Sequence, residues 1–160
     1  MGSLKTKVSI LIVFSILVST FLLSTVRVKA ETYPYVIEQV YTTDISGNVK
    51  TQFRRGEFVV VQVKLKAPTT YYYYYYAMPS YLLIVEAFTP QVEVLALGFT
   101  TGTLSAGATT TTGYGFKIPS DAPLGEYTIK VFVWNGWISQ MGANWKALAE
   151  PVTITITIIP

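Results

Sequence analysis

The sequence predicts an all-β protein: a single antiparallel β-sandwich of seven to eight strands, preceded by an N-terminal hydrophobic helix that acts as signal or anchor. Three observations carry this prediction. Short runs alternate apolar and polar residues with period two, as in Val59, Val61, Val63 and Leu65 against Gln62, Lys64 and Lys66, which gives each strand one face for a core. Clusters of Gly, Pro, Asp and Asn separate the runs, where turns need left-handed or fixed backbone. After residue 30 no segment shows the helical period, so crossover α/β folds lack their helices. No internal repeat suggests a propeller.

Residues 1–30 read as a targeting segment. Lys5 and Lys7 make a positive start, Val8 to Val26 carry no charge, and Val28-Lys29-Ala30 offers small residues where a signal peptidase reads. The uncharged run of 19 residues also suits a membrane span, for which roughly 17–25 residues suffice. The small-residue pattern favours cleavage; Arg27 and Lys29 weigh against it. Either outcome exports the rest of the chain, so the expected location is secreted or at the cell surface. The membrane would be engaged only through an uncleaved N-terminal segment.

Residues 31–34 read as an extended linker and 35–160 as the sandwich domain. Tyr35 to Thr42 is the first strand, Asp44 to Asn48 a turn, and Asn48 to Phe53 a short strand. Phe58 to Lys66 is a strong strand. Tyr81 to Phe88 is more continuously apolar than the others, which predicts a central strand. Val92 to Phe99 pairs with it after the Thr89-Pro90 break, and Thr100 to Ala108 reads as a loop. Thr109 to Lys117 is a strand in which Gly113 and Gly115 suggest a bulge or an edge. Tyr127, Ile129, Val131 and Val133 form the core face of the next strand, with Thr128, Lys130, Phe132 and Trp134 opposite. Trp137 to Ala149 reads as a long loop. Val152, Ile154, Ile156 and Ile158 alternate with threonines in the last strand. That strand either completes its own sandwich or pairs with another subunit's edge.

Composition narrows the function classes. The chain has a net charge of +3, but four of its twelve basic residues lie in the first 30 and all nine acids lie after them. The exported part therefore carries −1, and no clustered positive surface supports nucleic-acid binding. Cys and His are both absent. That removes disulfides, the commonest general base and the commonest transition-metal ligand. Asn48, Asn135 and Asn144 all fail the glycosylation pattern.

The stretch Ile118-Pro119 through Ala122-Pro123-Leu124-Gly125-Glu126-Tyr127-Thr128-Ile129-Lys130-Val131 resembles the penultimate strand of prokaryotic secreted immunoglobulin-like domains. These include the fibronectin-III-like and macroglobulin-like groups. Arg55-Gly56-Glu57-Phe58 followed by valines is similar to the opening of their second strand. The resemblance covers most of 35–160 and implies a fold; it carries no active site. Low Cys with abundant Thr and Tyr also resembles the surface proteins of hyperthermophilic archaea.

Candidate residues are few. Tyr127 suits a tyrosine corner, with Pro123 and Gly125 forming the turn before it. Six consecutive tyrosines, Tyr71, Tyr72, Tyr73, Tyr74, Tyr75 and Tyr76, supply either an adhesive surface or a cover for the sandwich. Phe132, Trp134, Trp137 and Trp145 make a second aromatic group, either packing or a platform for sugar rings. Asp44, Ser46 and Asn48 have a calcium-loop spacing, but Arg55 stands where the twelfth-position acid belongs, so a turn is expected. The nine carboxylates are scattered, and the serines lack a His base. No catalytic residue, cofactor or metal is predicted. The expected function is a non-enzymatic structural or adhesion protein of the cell surface, such as a filament or sheath subunit, with protein partners. The alternatives are a glycan- or ligand-binding module and a membrane-anchored accessory domain of a surface complex.

Overall fold

The computed structural model describes residues 33–69 and 80–160. The leader, the start of the linker and Tyr71–Tyr76 lie outside them. The strands are β1 Val36–Thr43, β2 Gln52–Arg54, β3 Phe58–Lys66, β4 Ser80–Phe88, β5 Val94–Thr103, β6 Thr109–Lys117, β7 Gly125–Trp134 and β8 Val152–Ile159. They form two sheets, β1-β3-β6 and β2-β8-β7-β4-β5. All neighbours are antiparallel except β2, which runs parallel to β8 over three residues.

The core lies between the inward faces. Val59, Val61, Val63 and Leu65 of β3 meet Leu83, Val85 and Ala87 of β4 and Tyr127, Ile129, Val131 and Val133 of β7, all essentially inaccessible to water. Burying such a side chain contributes about 1.5–3 kcal/mol. The shortest strand brings one of the largest residues, because Phe53 of β2 is fully buried.

The Arg55-Gly56-Glu57 stretch and the Ile118–Tyr127 stretch, far apart in sequence, form one joint. Gly56 N–H donates to the Ile118 carbonyl at 3.0 Å, and Ile118 N–H donates to the Glu57 carbonyl at 2.9 Å. Arg55 Nε donates to the Ala122 carbonyl at 2.6 Å. Tyr127 closes the joint by donating its hydroxyl to the Pro123 carbonyl at 2.8 Å, the geometry of a tyrosine corner. Burial of the phenol raises its pKa, against a smaller opposing effect of Arg55. Gly125 has φ 129°, a value open to glycine and rarely to other residues.

Two details depart from the alternation pattern. β5 runs on to Thr103, through residues expected to form a loop. The segment after β7 contains a single helical turn, α1 Ile138–Met141, and a 3-10 turn at Gly142–Asn144. β8 pairs with β7 along Val152–Ile158 and with β2 at Thr157–Ile159. Within the chain it completes its own sheet, one of the two arrangements expected of it.

Candidate functional site: the outer face of the five-stranded sheet

Register places the outward side chains in rows across β8, β7, β4 and β5. One row runs Lys130, Glu86, Leu97, flanked by Thr153. The next toward the tryptophans is Phe132, Ile84, Phe99, and beyond it come Trp134, Leu82, Thr101. On the opposite side lies Thr155, Thr128, Phe88, Val94. Ile84 and Leu82 point away from the core yet are buried. A second, thin apolar layer therefore covers β4.

Aromatic rings build that layer. Trp134 and Trp145 pack edge-on at 5.2 Å, Phe132 lies 6.0 Å from Trp134, and Phe99 packs edge-on with Trp137 at 5.1 Å. Such pairs add about 0.5–1.5 kcal/mol each beyond burial. Asn135 holds the loop that carries the tryptophans. Its Nδ2 donates to the Asn144 carbonyl at 2.7 Å, and its Oδ1 accepts from Lys146 N–H at 2.9 Å. The structure thus brings Phe132, Trp134 and Trp145 together and sets Trp137 against Phe99, the four predicted residues all half-buried.

The exposed part of the face is different in kind. Val92, Val94, Leu97 and Phe99 on β5 and the turn before it, with Ile138 of α1, are between 55% and 77% exposed. None of these was singled out from the sequence. The cause is a bulge. Phe88 pairs with Val94 and Ala87 with Ala96, so Leu95 is an extra residue. It shifts the alternation and puts Val94, Leu97 and Phe99 on one face.

At the end of the face away from the tryptophans, Phe88, Pro90, Val92, Glu126, Thr128 and Lys130 line an open cleft of about 410 Å³. Lys130 Nζ sits 5.2 Å from the centre of the Phe88 ring, within cation–π range. Val92 at its lip has φ 65°, a left-handed conformation that is costly for a β-branched residue.

The remaining candidates hold structure. Asp44 accepts from Ser46 N–H at 2.8 Å, Asn48 N–H at 3.0 Å and Asn48 Nδ2 at 2.9 Å. Its carboxylate closes its own turn and is held below its usual range, first by the Asn48 side chain. Glu57 is lowered likewise, first by Lys50 at 2.8 Å and then by Arg54 N–H. Among the described residues no three acidic side chains come close enough to share a metal ion. No described helix is long and apolar enough to cross a membrane.

Comparisons with known proteins agree with this architecture. The chain superposes on the C-terminal domain of Wzt with a TM-score of 0.59 at 11% identity, covering 81% of this chain and 75% of that one. The fold is an immunoglobulin-like sandwich. A putative β-galactosidase from Bacteroides fragilis gives a TM-score of 0.53 at 17% identity, covering 76% of this chain and 17% of that one. A glycosyl hydrolase family 2 member from Bacteroides cellulosilyticus gives 0.50 at 15% identity, covering 78% and 14%. At these identities the likeness concerns fold alone, and the sandwich corresponds to under a fifth of either hydrolase chain. The sequence matches no family model and no curated protein.

Proposed function

We propose that this chain is a non-enzymatic module of the cell surface, structural or adhesive, that works through the outer face of its five-stranded sheet. One observation carries the reading: Val92, Val94, Leu97 and Phe99 stand exposed side by side on that face. Contiguous exposed apolar surface marks contact sites on soluble domains. The charged leader start and uncharged run of residues 1–30 support export. The test is immunogold labelling of intact cells that make the protein, with N-terminal sequencing of the recovered chain. Gold on the outer surface is expected. Label confined to the interior would reject the proposal. A mature start at Glu31 would exclude the membrane-anchored variant.

A second reading, a glycan-binding module, is favoured by the exposed Phe99 ring braced edge-on by Trp137. Fluorescence titration of the tryptophans against common polysaccharides decides it. A saturable response that Phe99→Ala abolishes would promote this reading over the first.

A further inference from the structure

We propose that the cleft at the Phe88 end of this face binds a small neutral sugar, held by groups that suit hydroxyls better than ions. The site depends on neither the contact reading of the apolar stripe nor the Phe99–Trp137 pair, which lies at the other end of the face. Its volume of about 410 Å³ falls within the roughly 300–1,000 Å³ of small-molecule sites.

Strand and turn build the cleft together. Glu126, Thr128 and Lys130 alternate with the core residues of β7, so they project outward about 7 Å apart in turn. Phe88 of β4 stands beside Thr128. The turn after β4 makes the wall. It is closed by Val92 N–H to the Thr89 carbonyl at 2.9 Å, Thr89 N–H to the Glu93 carbonyl at 2.8 Å and Glu93 N–H to Thr89 Oγ1 at 3.1 Å. A Cβ at Gly125 would come 3.3 Å from the Pro90 ring, so the turn rests on the start of β7. Val92 forms the lip. Among the described residues it alone combines a side chain with a positive φ, at a position that suits glycine. The core gains nothing from this valine, which is 77% exposed. Backbone strain of this kind gathers at ligand clamps, and an apolar lip over a sugar ring gives it a use.

The polar groups define the ligand. Lys130 has Glu86 as its register neighbour, yet no ion pair joins them among the described residues. Its ammonium lies instead over Phe88, which shares a row with Thr128. Glu126 likewise has no ion pair among the described residues. An ammonium only donates, a carboxylate only accepts, and the Thr128 hydroxyl does both. An anion in this space meets Glu126, and a cation meets Lys130. A sugar hydroxyl carries no charge to be repelled: it accepts from Lys130, donates to Glu126 and does either with Thr128. The C–H face of the ring then lies against Pro90, Val92 and Phe88. An apolar wall with a few convergent polar groups is the usual make-up of a small-molecule site. A zwitterion is the competing match.

The test titrates the full chain by saturation-transfer NMR with cellobiose, maltose and lactose. Glucuronate, glucosamine and glycylglycine serve as anionic, cationic and zwitterionic controls. At least one disaccharide should bind saturably and more tightly than every control. Lys130→Ala and Glu126→Gln should each weaken that binding at least fivefold, while Lys64→Gln on the other sheet leaves it unchanged. Val92→Gly should raise the melting temperature and still weaken binding, a combination that a purely structural valine would not give. Failure of all three disaccharides to bind would overturn the proposal, and so would tighter binding of any control. Binding that survives Lys130→Ala but is lost in Phe99→Ala would put the sugar on the Phe99–Trp137 pair and reject the cleft.

Discussion

The two sheets present the same kind of surface to the core and different mixtures to water. The outward residues of the three-stranded sheet are mostly polar, among them Gln39, Tyr41, Gln62, Lys64, Lys66, Thr109 and Thr111, with Val36 and Phe58 exposed at strand ends. Glu38, bulged out of β1, lies 3.1 Å from Lys64 and 4.0 Å from Lys66. The five-stranded sheet turns out tryptophans, Phe99, Leu97 and Val94. Folding fixes the inward faces of both sheets and, on the wide sheet, the aromatic cover over Leu82 and Ile84. The exposed Val94, Leu97 and Phe99 of the wide sheet answer to neither requirement, and the proposed contact face is built on them.

Breaking the shared core should erase that contrast at the greatest cost. Phe53→Ala removes a fully buried ring from β2 and should cost about 3–5 kcal/mol in chemical denaturation. A residue added to the outward side of the thin sheet sharpens it. A Cβ at Gly113 would lie within 1.9 Å of the Val61 carbonyl oxygen, whereas one at Gly115 meets its nearest neighbours at 3.5 Å. Gly113→Ala should cost about 1–3 kcal/mol, and Gly115→Ala no more than about 0.5 kcal/mol.

Tyr127→Phe tests the joint that fixes how the sheets meet. It keeps the ring but leaves the Pro123 carbonyl without its donor, and should lower stability by about 1–2 kcal/mol. The same phenol gives an alkaline signature. Its folded pKa is raised by burial, so its contribution is complete below the ordinary value near 10 and is lost as the pH rises through the folded value. Tyr127→Phe should flatten that alkaline limb.

The smallest effect lies in the acid range. Glu57 and Asp44 have folded pKa values below their ordinary 4.5 and 3.8. Each adds stability above its ordinary value and loses it as the pH falls through the folded one. Glu57→Gln with Asp44→Asn should lower the melting temperature slightly at pH 7 and match the parent at low pH, so that the fall below about pH 4.5 flattens. Both groups are surface-exposed, so solvent screening keeps the effect small.

Much of the fold is legible in the sequence because inward faces obey a strict period. β3 and β6 end where the alternation and the flanking turns place them, and Tyr127, Ile129, Val131 and Val133 fall on the core face. The contact face is less legible. The bulge at Leu95 is a one-residue phase change that alternation alone does not mark, so Val94, Leu97 and Phe99 look divided between two faces until the register is known. The parallel placement of β2 is equally hidden, since three residues carry no directional signal. Phe132, Trp134, Trp137 and Trp145 are visible as a group by residue type. Their edge-on packing depends on a loop held by the Asn135 side chain and by backbone bonds from Asn135 to Lys146 and from Leu148 to Val133, which only the three-dimensional contacts reveal.

The central claim is that the wide sheet's outer face holds this protein to its partner. Its most direct test compares the full chain carrying Leu97→Glu and Phe99→Glu with one carrying Lys64→Gln, in the cells that make it. The readout is the share of protein retained on washed cell surfaces, with melting temperatures measured in parallel. The account predicts that the β5 variant melts within a few degrees of the parent yet loses retention several-fold, while Lys64→Gln keeps it. Equal retention by a folded β5 variant, or a loss confined to Lys64→Gln, would contradict it.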